Sequence, residues 1–139
     1  MKIIRFFGHP YTVVTVFLLL LISGEHFGGF YILYILMALP HGAVHALLAV
    51  SGIIIILSSY HRSSHAFIRA IINTIGMLLL VISLILFFVL DIDRYNAATF
   101  EQPVPLATFI LFGLCILCSM ISQGVAIARN LAQGTGIKM

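Results

Sequence analysis

Charged residues are what this sequence has least of: they make up 8% of its 139 residues, while 62% are hydrophobic. A water-soluble domain needs roughly a quarter of its residues charged to stay dispersed, so that class is excluded. The mean hydropathy of +1.19 agrees. Basic residues are few as well. Seven Lys plus Arg give a net charge of +3, but they are scattered through apolar segments rather than gathered in a stripe, which excludes nucleic acid as a partner. The two cysteines, Cys115 and Cys118, both lie in an apolar run, so no disulfide framework is available and the redox compartment stays open. Internal repeats and low-complexity tracts are absent. So are a nucleotide-binding loop, a hydrolase triad and a metalloprotease motif. The polar stretch "DIDRYNAATFEQPVP" is too short to form a soluble catalytic domain.

Long apolar runs are what the chain has instead. Crossing a hydrocarbon layer of roughly 30 Å takes about 20 helical residues, and spans are expected at about 38–59, 66–90 and 105–128. A fourth, at about 6–23, reaches that length only when Phe6 and Phe7 extend "YTVVTVFLLLLIS". Its basic start and the small residues near its end also fit a signal peptide; it is read as a retained span. The expected fold is an all-α integral membrane protein, a single membrane domain over 1–139 built as a bundle of four transmembrane helices. The charges supply an independent check. With both termini cytoplasmic, Lys2, Arg5, Arg62, Arg69, Arg129 and Lys138 fall inside and only Arg94 outside, as the positive-inside rule asks. The acids Glu25, Asp91, Asp93 and Glu101 all fall outside. A bacterial inner membrane is the expected location, with the lipid bilayer as the first partner.

The apolar segment 27–39 lies between the first and second spans and admits two readings. In one, it is a short interfacial or re-entrant helix, and Pro40 sits in the first turn of the second span, where its missing N–H costs nothing. In the other, 28–57 is one tilted helix kinked at Pro40. Tyr31 and Tyr34 suit a position at headgroup level, because their rings are amphipathic.

Six histidines are the main chemical signal. His41 and His45, in "PHGAVHALL", are four apart; on one helix they share a face and could share a metal ion or a polar partner. Counting up from Leu57 places His45 about 18 Å into the layer, where an imidazole is a functional lead. His61 and His65 repeat the spacing at the inner surface, where solvation accounts for them. His26 follows the outer end of the first span and His9 begins its inner end. In antiparallel helices His26 would approach His41 or His45, and His9 would approach His61 or His65, the layout of a two-haem cytochrome b. The outer group could equally be a zinc site of Glu25, His26, His41 and His45. Proton or ion handling by these groups is a third use. The bland reading is a neutral imidazole bonded to Ser, Thr or a carbonyl, worth about 1 kcal/mol between helices; Thr12, Thr15, Ser51 and Thr74 are the candidate partners.

The remaining features read mostly as structure. Cys115 and Cys118 form a C-x-x-C near the middle of the last span, where no helix N-terminus or basic neighbour favours a thiolate, so they read as small buried hydrophobes. Gly24 with Gly28, Gly52 with Ala49 and Ser51, and Gly113 with Ser119, Ser122 and Gly124 would allow close helix approach. Arg69 and Asn73 share a face near the inner end of the third span, where Arg can snorkel and Asn can bond to a neighbour. The leading functional expectation is a non-catalytic accessory subunit of a larger energy-transducing or secretory complex, packed against other subunits or its own copies. The alternatives are a b-type haem electron carrier and a small oligomeric transporter or channel.

Overall fold

A computed structural model describes residues 2–24, 28–62, 65–90 and 96–135, apart from the side chains of 61, 62 and 133–135. The chain is mostly helical. Its elements are α1 (Lys2–Phe7), α2 (Pro10–Leu18), β1 (Leu21–Ser23), β2 (Gly28–Phe30), α3 (Tyr31–Ala38), α4 (Val44–Arg62), α5 (Ala66–Val89) and α6 (Pro103–Thr135), with single 3-10 turns at Leu39–His41 and Ala97–Phe100. Among the described residues, α5 and α6 are each long and apolar enough to cross a membrane, and a third span results if Tyr31–His41 and Val44–Tyr60, bent by 114°, count as one.

The expected first span at 6–23 is not one helix. Pro10 opens α2 and supplies no N–H, and His9 before it is extended, at φ −71° and ψ 136°, because a residue preceding proline is pushed out of the helical region. Helix α2 then ends at Leu18 after nine residues, a length of only about 14 Å. The chain continues as the hairpin of β1 and β2, with Leu21 opposite Phe30, Ile22 opposite Gly29 and Ser23 opposite Gly28. Extended backbone among apolar helices has to find partners for its N–H groups. Two hydroxyls supply them: the Leu21 amide donates to Thr108 Oγ1 at 3.2 Å and the Ser23 amide to Thr99 Oγ1 at 3.0 Å.

Within the expected segment 27–39, residue 27 lies outside the described residues, Gly28–Phe30 is strand β2 rather than helix, and Tyr31–Ala38 forms a helix apart from α4. Pro40 does not open the second span; it lies in the turn that closes α3. Gly42 adopts φ +67°, its amide donates to Leu39 O at 3.0 Å, and the Ala43 amide donates to Ala38 O at 3.3 Å. These two bonds with a left-handed glycine make a Schellman motif, which stops a helix. Helix α4 begins two residues later, so His45 stands in its first turn rather than inside a longer helix.

The core gathers Phe17, Leu20, Ile22, Tyr31, Ile56, Leu80 and Cys115, all fully buried. Helix α4 runs along α5, while α6 packs against α1, α2 and α5. Tyr31, expected at headgroup level, is 0% exposed. Its ring meets Phe17 and Phe87 edge-on, with centroids 5.3 and 5.2 Å away. Beyond α5, the Phe100 ring lies 4.8 Å from Phe88 and 5.3 Å from Phe109, joining the second 3-10 turn to α5 and α6.

Candidate functional site

The spacing of His41 and His45 does not make a pair on one helix face. The Gly42 turn separates them: His41 ends the 3-10 turn, exposed, with its Nδ1 3.0 Å from Met37 O, while His45 belongs to α4. His61 and His65 are likewise not on one helix, since α4 ends at Arg62 and His65 precedes α5, exposed. His9 packs on aromatic rings, with Tyr11 at 5.5 Å and Tyr60 at 5.1 Å. Glu25 and His26, the other members of the expected zinc set, lie outside the described residues, as does the side chain of His61. Among the described residues, no three His, Cys, Asp or Glu side chains converge as metal ligands.

The structure instead ties the start of α4 to α3 and α5 through a short polar chain. Ser83 Oγ donates to the His45 carbonyl at 2.8 Å. A serine hydroxyl carries a single proton, so the 3.0 Å contact between Ser83 Oγ and Tyr31 Oη has tyrosine as the donor. The imidazole of His45 stands edge-on to Phe87 at 5.4 Å, and its Nε2 is enclosed without a hydrogen-bond partner. Beside it lies an apolar groove of about 500 Å³, lined by Leu33, Tyr34, Met37 and Phe87 among others. An enclosed imidazole nitrogen with no partner forgoes roughly 1 to 3 kcal/mol relative to a satisfied one. None of Thr12, Thr15, Ser51 and Thr74 meets it; Ser83, which does reach His45, takes its backbone carbonyl.

A second polar cluster lies towards the other end of α5. Asn73 is 4% exposed; its Nδ2 donates to Ser119 Oγ at 3.3 Å, and the same oxygen accepts from Gln123 Nε2 at 2.9 Å. Asn73 Oδ1 is enclosed and has no partner. These groups share a cleft of about 260 Å³ with His9, Arg5 and Arg69. Gly8 makes the cleft's geometry feasible by bringing the α1–α2 junction onto α6: a Cβ there would stand 2.6 Å from the Cys118 carbonyl oxygen. The expectation that Asn73 bonds to a neighbour is met by Ser119, whereas Gln123 escaped notice as part of the same site. Its signal is the four-residue spacing from Ser119, which stacks the two on one face of α6. Cys115 is buried and Cys118 half-buried, both free, in keeping with their reading as small apolar side chains.

Compared with known proteins, the chain matches no family model, no curated protein and no solved structure.

Proposed function

We propose that the chain is a small, non-catalytic integral subunit of a larger inner-membrane complex, and that it receives a membrane-embedded segment of another subunit in the groove beside His45. The observation that carries this is the apolar groove itself, with His45 in its wall and the His45 Nε2 without a hydrogen-bond partner. Such a nitrogen favours a hydroxyl or amide from a neighbouring helix, and polar contacts of this kind join helices in lipid. Both termini on the cytoplasmic side is the orientation we propose, supported by Arg5, Arg69 and Arg129 gathering around two adjoining cavities at one end of the molecule, as the positive-inside rule favours.

The test is site-specific photo-crosslinking in native membranes. A benzophenone side chain at Met37, which is 74% exposed in the groove, is expected to trap one discrete membrane protein, while the same probe at Ile110 on α6 does not. His45→Phe keeps a ring against Phe87 but removes the nitrogen. It is expected to lower the Met37 crosslink about fivefold, the equivalent of one interhelical hydrogen bond. Lipid adducts alone at Met37, with no response to His45→Phe, would overturn the proposal.

A further inference from the structure

The cleft around Asn73 has the chemistry of a headgroup site, and we propose that it binds an anionic phospholipid whose headgroup carries a free hydroxyl. The inference rests on the membrane reading but is independent of the His45 groove. Three observations converge. The cleft is lined by Arg5 and Arg69 and by no carboxylate, and among the described residues neither arginine has an acidic partner. That arrangement favours a phosphate, which guanidinium groups recognise through paired N–H donors.

The floor of the cleft is buried and incompletely satisfied. Asn73 donates to Ser119 and leaves Oδ1 enclosed without a donor, so the cleft asks for a hydroxyl alongside the anion. A phosphoglycerol headgroup supplies both. The third observation is shape: the cleft adjoins a second cavity of about 250 Å³ that shares Arg5, Ser122 and Ala126 with it and is otherwise lined by Ile4, Ile121, Val125 and Arg129. Two adjoining cavities that share Arg5 fit an amphiphile, with the phosphate between the arginines and an acyl chain along Ile4, Ile121 and Val125. A free anion would use only the first chamber.

The experiment is native mass spectrometry of the full chain, delipidated in mild detergent and titrated separately with phosphatidylglycerol, phosphatidylcholine and inorganic phosphate. Phosphatidylglycerol is expected to be retained at about tenfold lower concentration than phosphatidylcholine, in line with two cations near a lipid phosphate. Arg5→Gln with Arg69→Gln should erase that preference, and Arg69→Lys, which keeps the charge but not the paired N–H donors, should lose part of it. Asn73→Asp, which sets a carboxylate beside the phosphate, should erase it too, with helicity by circular dichroism checking that each variant is folded. Equal retention of the two lipids overturns the proposal. So does displacement of phosphatidylglycerol by millimolar inorganic phosphate, which would make a free anion the ligand. Alkaline carbonate extraction of native membranes separates the underlying question: release of the chain would defeat the membrane reading whatever the lipid titration shows.

Discussion

The contact between α4 and α5 holds Gly52 and Gly76, α6 holds Gly113 and Gly124, and the two pairs do opposite things. Between α4 and α5, a Cβ on Gly52 would stand 2.8 Å from Leu80 Cδ2 and 2.9 Å from Gly76 O, and one on Gly76 would stand 2.6 Å from Ile56 Cγ1 and 3.1 Å from Gly52 O. On α6, Gly113 and Gly124 have nothing within 4 Å of such an atom. Small residues permit two helices to approach closely, but only the first pair is used for that within this chain. A glycine in an apolar helix therefore marks a contact only when a second helix presents its own small residue opposite, as Gly76 does for Gly52.

The sharpest way to break the comparison is Gly76→Val. Branching at this position meets a backbone carbonyl, which cannot rotate away, as well as Ile56. Overpacking of this kind costs about 3 kcal/mol, so the largest fall in thermal stability in detergent is expected here. An unchanged melting temperature would mean that α4 and α5 part easily and that the glycines are incidental. Gly8→Val extends the test to the junction of α1 and α2, where the added atoms would strike Cys118 O and the Ser119 amide. A loss of about 2 kcal/mol is expected, less than at Gly76 although the backbone is closer, because α1 buries no side chain and can swing off α6. Cys118 should also react faster with maleimide in a Cys115→Ala background, since α6 would lose its cover.

How much of this was legible in the sequence depends on which residue is weighed at each break. The runs that become α5 and α6 are long, apolar and free of internal glycine turns, and their positions follow from length alone. The second span is different, because "LPHGAV" holds two breakers and they act unequally. Placing Pro40 in a first turn starts the span at about residue 38, whereas the left-handed Gly42 ends α3 and α4 starts at Val44. Glycine directly after a histidine in a last turn is a stop signal in its own right, and giving it precedence also separates His41 from His45. The first span fails for a related reason: Pro10 is visible, but the pairing of Leu21–Ser23 with Gly28–Phe30 depends on Thr99 and Thr108 from distant sequence. No local pattern reports those hydroxyls. The Asn73 cluster is intermediate, since the amide stands out in an apolar run while its partners on α6 are 46 or more positions away.

A smaller effect separates polar from steric fastening of the same helices. Tyr31→Phe removes the hydroxyl that donates to Ser83 while leaving the ring against Phe17 and Phe87, and Ser83→Ala removes the other end of the chain that reaches the His45 carbonyl. Each should cost about 1 kcal/mol in thermal stability, the usual worth of one such bond. The double variant should lose clearly less than the sum, because the two hydroxyls act as one unit. Additive losses would mean that Tyr31 and Ser83 stabilise the fold through unrelated contacts.

The smallest expected change is the most informative about what lies outside the chain. Gly113→Ala and Gly124→Ala add a methyl group into open space, and alanine is the better helix former by about 1 kcal/mol. The isolated protein should therefore keep its stability or gain slightly, in contrast to Gly76→Val. Repeating the measurement on the protein in its native membrane complex divides two accounts of what fills the space beside these glycines. If α6 faces lipid there, both substitutions stay neutral, because an acyl chain moves aside for a methyl group. If a helix of another subunit packs on Gly113 and Gly124 as α5 packs on α4, the same methyl groups weaken the complex while leaving the free chain intact, and the glycines on α6 become the counterpart, between chains, of Gly52 and Gly76 within one.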